Sequence, residues 1–174
     1  MRNKDVISLA LEVDRLTLET RLRDISLLAQ SDRSERVGAI ATVVSRLPPG
    51  AYLLGCGPYN CGVLPLTVDT VVLGRPPSPL EAVPDAVVDY SLNDAVWMVP
   101  REASRIHATV LRKTDAGNTA YSIRDEKSTA GTFVNGSKTP VHSDESDAAV
   151  PLATGDVISL GPSGVNSYLF IDIA

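Results

Sequence analysis

The chain has 174 residues, of which 44% are hydrophobic, 21% charged and 5% aromatic, and its net charge is −5. This composition predicts a globular protein with a mainly aliphatic core, and the acidic balance makes nucleic-acid binding unlikely, since that needs a basic surface. No apolar run approaches the roughly 20 residues needed to cross a membrane, and residues 1–5 lack the apolar segment of a secretory signal. We therefore expect a cytoplasmic protein, or a nuclear one if the source is a eukaryote.

The first 49 residues predict a helical extension. Apolar side chains at 11, 18, 22, 25 and 29 fall on one face of a helix over 4–30. A second helix is predicted over 35–47, although its β-branched residues leave a strand open as an alternative. The Pro48-Pro49-Gly50 run ends this element and marks the predicted domain boundary. The apolar face of 4–30 is expected to pack on the rest of the chain; pairing with a second copy or with a partner helix are the alternatives.

Residues 50–174 predict an antiparallel β-sandwich, so the fold class is mainly β. Short apolar runs alternate with turn residues throughout this region. A long proline-rich loop is predicted to begin at 76, and a polar loop covers 138–149. The predicted strands cover 51–55, 62–67, 69–73, 95–99, 106–112, 120–124, 132–134, 156–160 and 168–173.

Several motifs have a structural interpretation that we prefer to a chemical one. The glycine-rich segment 55–62 resembles a nucleotide loop, but Pro65 opposes the helix that such a loop needs. Cys56 and Cys61 flank this predicted hairpin turn and are expected to be reduced, although an oxidising compartment would allow a disulfide. The acidic residues at 81–94 and 144–147 lack the spacing of a calcium loop, and we expect no metal and no cofactor.

His107 follows Ser104 by three residues, a pair that raises the question of a hydrolase. There is no Gly-x-Ser-x-Gly elbow, and no acidic residue is evidently placed to orient the ring. A histidine that braces a neighbouring loop through hydrogen bonds is the better hypothesis. We therefore predict no enzymatic activity and no catalytic residue.

Three predicted loops together offer the groups that bind a phosphate. Arg75 ends a strand, Ser104 precedes one, and Ser128-Thr129 lies in a turn before Gly131. A guanidinium, hydroxyls and exposed backbone N–H groups are the donors that a phosphate dianion needs. If these loops converge at one edge of the sandwich, they form an anion site.

These motifs, in this order, resemble the forkhead-associated (FHA) domain family over about residues 50–174. The matching segments are Gly74-Arg75, Ser104-Arg105-Ile106-His107, Ser128-Thr129-Ala130-Gly131-Thr132, Asn135-Gly136 and Gly155-Asp156. The family is a β-sandwich that binds phosphothreonine peptides through loops at one end.

The resemblance implies a role for each matching residue. Arg75, Ser104 and Thr129 would hold the phosphate and Arg105 would lie beside the peptide, while Gly74, His107 and Gly131 would support the loops. Ala130 departs from the family pattern, which usually has an Asn that fixes the peptide main chain. The segment between Arg75 and Ser104 is also longer than is usual, and it could add specificity for basic flanking residues or occlude the site.

The sequence therefore predicts a non-catalytic module that binds a phosphothreonine-containing protein, such as a substrate of a Ser/Thr kinase, and acts as a signalling or assembly adaptor. The alternative is an FHA-fold scaffold or oligomerisation module that no longer reads phosphate, with Ala130 as its sign.

Overall fold

The structure, a computed structural model, describes residues 31–57, 62–75, 90–91, 102–142 and 148–173. The predicted helix over 4–30 and the predicted strand over 95–99 lie outside these residues. Most of the two acidic segments and Cys61 also lie outside them. In the described part of the chain, no helix combines the length and apolar character needed to cross a bilayer.

Helix α1 spans Arg33–Val44, which confirms the helical prediction for this segment over the strand alternative. Asp32 caps it, because its carboxylate accepts hydrogen bonds from the backbone N–H groups of Ser34 and Glu35 at 2.6 and 3.1 Å. These bonds lower the pKa of Asp32, with the hydroxyl of Ser34 as the largest cause. The cap and the packing of the helix on a sheet outweigh the β-branched content.

Eleven strands follow in the described residues and form two sheets, as the sequence predicts. The six-stranded sheet has the order β2-β1-β11-β10-β7-β8, and the five-stranded sheet has the order β4-β3-β5-β6-β9. Pairing is antiparallel except between β3 and the short β4. The strands are β1 Gly50–Gly55, β2 Gly62–Pro65, β3 Thr70–Gly74, β4 Tyr90–Ser91, β5 Ala108–Asp115, β6 Asn118–Asp125, β7 Thr132–Val134, β8 Ser137–Lys138, β9 Val150–Leu152, β10 Val157–Leu160 and β11 Ser167–Ile173.

The β5–β6 and β7–β8 pairs are tight hairpins, and their turns set the register of the paired strands. The β5–β6 pair turns at Ala116-Gly117 and the β7–β8 pair at Asn135-Gly136, with φ values of 48°, 85°, 50° and 78°. Positive φ at both central residues is the geometry that matches the twist of a two-residue hairpin.

The core has two layers. The larger one lies between the sheets and is mainly aliphatic, with Tyr121 and Phe170 in tilted contact at 5.3 Å between ring centroids. The smaller one lies where α1 covers the outer face of the six-stranded sheet, and it contains Ile40, Leu54 and Cys56. Burial raises the pKa of the free Cys56 thiol to about 12, so this thiol stays protonated and unreactive at neutral pH.

Three short strands, β4, β8 and β9, are not predicted by the sequence. They have two or three residues each, and β8 and β9 fall at the ends of the segment predicted as a polar loop over 138–149. Strands this short carry too few residues for an alternating pattern, and pairing with a neighbouring strand defines them instead.

Candidate functional site

The predicted phosphate-binding loops meet at one edge of the sandwich. Leu73, Ala108 and Asp125 are paired across β3, β5 and β6, so β3 and β6 end where β5 begins. The loop after β6 leads into β7 at Thr132, at the same edge. The Asn135-Gly136 turn lies at the other end of β7. The sheet register thus brings the loops that follow β3 and β6 next to the loop that precedes β5.

Gly74 allows the first two loops to touch. A Cβ built on Gly74 would lie 1.9 Å from the carbonyl oxygen of Arg105, a distance that no side chain can accommodate. The backbone N–H of Arg75 donates to the carbonyl of Ser104 at 3.0 Å, and that of His107 donates to Leu73 at 2.9 Å. The glycine therefore lets the chain segments that carry Arg75 and Ser104 pair directly.

His107 is fully buried. It joins the loop before β5, which carries Ser104, to the loop after β6, which carries Thr129. Its Nδ1 accepts a hydrogen bond from the backbone N–H of Ser104 at 3.0 Å, and its Nε2–H donates to the carbonyl of Gly131 at 3.1 Å. Burial lowers the pKa of the imidazole, and the bond to Gly131 opposes this effect only in part. A neutral ring with one donor and one acceptor nitrogen fits both bonds.

The loop after β6 is organised by Asp125, which is fully buried at the end of that strand. Its carboxylate accepts from the Ser128 N–H at 2.9 Å, from the Ser128 hydroxyl at 2.6 Å and from the Thr132 hydroxyl at 2.7 Å. Burial acts to raise the pKa of Asp125, but these donors together lower it below the ordinary value of a carboxyl group. The ionised carboxylate therefore shapes the loop that presents Thr129.

A second bond within this loop involves the hydroxyl of Ser128, which accepts from the N–H of Gly131 at 2.9 Å. Gly131 has a φ of 90°, a conformation that side chains rarely adopt. The carbonyl of Gly131 accepts from Gly161 at 3.0 Å as well as from His107. Gly131 thus connects this loop to the segments that carry His107 and Gly161.

Ser104 links directly to the loop of Thr129. Its hydroxyl oxygen accepts a hydrogen bond from the backbone N–H of Thr129 at 3.1 Å. The proton of this hydroxyl makes no hydrogen bond to another described residue. The side chains of Arg105 and Thr129 are exposed and make no hydrogen bond within the described part of the chain. The edge thus presents two hydroxyl donors and a guanidinium to solvent.

The structure gives no support to the other chemical hypotheses. Segment 55–62 is flanked by β1 and β2, so a strand stands where a nucleotide loop needs a helix. Both ring nitrogens of His107 are bonded to backbone groups, so neither is placed to take the proton of Ser104. Among the described residues, no group of three or more His, Cys, Asp or Glu side chains is arranged to hold a metal ion.

Two residues at this edge were not predicted from the sequence as site residues. Asp125 precedes Ser128 by three residues, and this spacing is typical of a carboxylate that accepts from the backbone of its own turn, so a signal was available. Lys138 lies against Gly131, and nothing in its sequence position indicates this contact.

Comparison with known proteins agrees with this arrangement. The family model described as FHA domain matches residues 71–161, more than half of the chain, and these residues include every predicted site residue. A search of curated proteins finds no match.

Solved structures show the same fold. The yeast Pml1 splicing factor, solved in work on its integration into the RES complex, has a TM-score of 0.55 and 17% identity, over 76% of this chain and 88% of the other. The MEK1 FHA domain, in complex with a phosphothreonine peptide of HOP1, has a TM-score of 0.50 and 19% identity, over 72% of this chain and 98% of the other. On the family match and the shared fold, the chain belongs to the FHA domain family.

Proposed function

We propose that this protein binds a phosphothreonine-containing partner protein through the edge formed by Arg75, Ser104, Arg105 and Thr129. FHA domains are typically interaction modules without enzymatic activity, and family membership supports a phosphopeptide-binding module here. The observation that carries the proposal is the hydrogen bond from the Thr129 N–H to the Ser104 hydroxyl. This bond joins two loops that are 25 residues apart in the chain and occupies the hydroxyl only as an acceptor.

The chemistry of that bond favours an anion as the ligand. A hydroxyl that already accepts from a backbone N–H has its own proton to donate outward. Thr129 adds a second exposed hydroxyl, and Arg105 adds an exposed guanidinium on the neighbouring loop. Phosphate oxygens only accept, so they complement a surface of donors, and charged hydrogen bonds contribute about 1.5–3 kcal/mol each.

The preference for phosphothreonine and the role of the protein as a signalling or assembly adaptor follow from the family resemblance. The phosphothreonine peptide bound by the related MEK1 FHA domain supports the first of these. We propose that the partner is a substrate of a Ser/Thr kinase. The rival proposal is a scaffold that retains the fold without phosphate-dependent binding, and Ala130 is the residue that motivates it.

The test is binding of a phosphothreonine peptide library to the wild-type chain, to Arg75→Ala and to Ser104→Ala, with unphosphorylated and phosphoserine peptides alongside. We expect phosphate-dependent binding that weakens at least tenfold in each variant, the loss of about one charged hydrogen bond. Lys113→Ala is the matched control, because Lys113 is an exposed cation on β5, five residues from the site edge. Equal binding of phosphorylated and unphosphorylated peptides by folded protein would favour the scaffold.

A further inference from the structure

Ala130 leaves a gap in the hydrogen-bonding surface of the site. It lies between the exposed Thr129 and the buried Gly131, at the tip of the loop held by Asp125. Its methyl group can neither donate nor accept a hydrogen bond. A peptide that crosses this point meets no polar side chain at position 130 itself, so a side-chain hydrogen bond here has to come from a neighbouring residue.

Lys138 on β8 reaches Gly131, the neighbour of Ala130 in the chain. It is paired with Phe133 on β7, and its side chain lies against the bare face of Gly131. A Cβ built on Gly131 would lie 2.4 Å from Cε and 3.1 Å from Nζ of Lys138. The absence of a side chain at Gly131 therefore makes room for the lysine stem, and the ammonium lies beside Gly131, the residue that follows Ala130.

Within the described part of the chain, the ammonium of Lys138 is not used to hold the fold. The carbonyl of Gly131 already accepts from His107 and Gly161, and that of Thr132 accepts from the N–H and the hydroxyl of Thr139. Within the described residues, Lys138 makes no hydrogen bond and no ion pair. No described residue therefore competes with a ligand for its three N–H donors.

The acidic groups that the structure describes at this edge have partners of their own. Glu126 forms an ion pair with Arg124 at 2.9 Å, and Asp125 is buried against hydroxyls. Glu102 accepts from the N–H and the hydroxyl of Ser163. A carboxylate supplied by a ligand would thus find the charge of Lys138 unopposed by these groups.

We propose that Lys138 is a specificity-determining residue, whose ammonium binds an acidic side chain that flanks the phosphothreonine and compensates for the polar group missing at Ala130. This inference rests on the phosphopeptide binding proposed above. An ammonium only donates, and it binds a carboxylate more strongly than a neutral carbonyl because the hydrogen bond is charge-assisted. The protein therefore selects partners in which an Asp or Glu lies close to the modified threonine.

The experiment measures binding of phosphothreonine peptides that differ by one Asp-to-Ala exchange at each flanking position. For the wild-type chain we expect one position at which Asp binds roughly fivefold more tightly than Ala, the size of a favourable exposed ion pair. Lys138→Met and Lys138→Gln should lose this preference, and Lys138→Arg should keep it. Lys113→Met is the matched control and should bind as the wild type does. The Lys138 side chain is exposed, so all variants are expected to fold, and thermal unfolding verifies this.

Two results overturn the inference, and they are distinguishable. If phosphate-dependent binding depends on Arg75 but the wild type has no acidic preference, or the preference persists in Lys138→Met, the role of Lys138 is wrong and the proposed function stands. If no phosphorylated peptide binds more tightly than its unphosphorylated form, the proposed function fails and the inference fails with it.

Discussion

Asp125 and Asp156 are both fully buried, yet they are held in different ways at the two ends of β7. Asp125 accepts from Ser128 and Thr132, which lie three and seven residues away in the chain. Asp156 accepts from Asn135 at 2.7 Å and from Arg33 on α1, which is 123 residues away. The first arrangement is local and uses neutral donors. The second adds long-range donors and an ion pair to one local bond, from the Ala153 N–H at 2.8 Å.

The helix strengthens the second arrangement through a buried arginine. Arg36 is 1% exposed and donates to the carbonyl of Gly155 and to the side chain of Asn135, both at 2.7 Å, and also to the carbonyl of Ser31. We use the name helix clamp for the residues that join α1 to the β7–β8 turn and to the segment just before β10. They are Arg33, Arg36, Asn135, Gly155 and Asp156.

The difference between the two ends relates structure to function. In the helix clamp, the arginines are bonded within the protein and serve to attach α1 to the sandwich. We call the edge formed by Arg75, Ser104, Arg105 and Thr129 the recognition edge. There, neutral donors and a neutral imidazole shape the loops, so the cations Arg105 and Lys138 are not needed for that task. A site that binds an anion benefits from this division, because a cation already paired in the fold would have to exchange one partner for another.

The largest expected effect is that of Asp125→Ala, which breaks the local arrangement. The change leaves the N–H of Ser128 and two hydroxyls without their acceptor in a partly buried loop. We expect the free energy of unfolding to fall by about 3 kcal/mol, since each unsatisfied buried donor costs about 1–3 kcal/mol and some will find water. Urea denaturation measures this value. Asp115→Ala, at the exposed end of β5, is the matched control and should change stability by no more than about 0.5 kcal/mol. A loss below about 1 kcal/mol in Asp125→Ala would contradict the central role of this carboxylate.

Arg36→Met should have an intermediate effect on stability, and it should show whether the helix clamp and the recognition edge behave independently. Methionine fills much of the volume of the arginine stem, but the carbonyl of Gly155 loses its donor. We expect a loss of about 2 kcal/mol in the free energy of unfolding, the cost of leaving a buried acceptor unsatisfied. Phosphopeptide affinity, measured on the folded variant, should stay at the wild-type value.

Arg33→Met sharpens the test of the clamp, because the Arg33 side chain is 56% exposed and its ion pair with Asp156 is solvated on one side. Such a pair contributes less than about 1 kcal/mol, so this variant should be clearly more stable than Arg36→Met. Equal losses in the two variants would show that the ion pair, and not the buried hydrogen bonds of Arg36, holds the helix.

The sequence predicts one end of the molecule much better than the other. At the recognition edge, the glycine, the hydroxyls and the histidine stand in short ordered motifs, and alternating strands place those motifs on loops. The helix clamp joins Arg36 to Asn135 across 99 residues, and no periodicity or local spacing relates such distant positions. The same applies to Lys138, whose contact with Gly131 depends on how β8 folds back along β7. The predicted domain boundary at 49 remains a prediction, while α1 is observed to pack on the sheet.

A further expected effect is the pH dependence that His107 adds to the recognition edge. Burial lowers the pKa of His107 below the ordinary value of 6.5, so below that pH the unfolded chain binds a proton that the folded state does not. Stability contributed by the neutral ring is therefore complete above about pH 6.5 and falls as the pH decreases, by at most about 1.4 kcal/mol per pH unit for one proton. Thermal or urea unfolding between pH 7.5 and about 5 measures this slope.

His107→Gln retains a donor for Gly131 and should be less stable at neutral pH, yet it should lose the slope in this window. His142→Gln is the matched control and should keep it. If His107→Gln keeps the slope of the wild type, another group causes the acid sensitivity. The neutral state of the His107 ring would then lack this support.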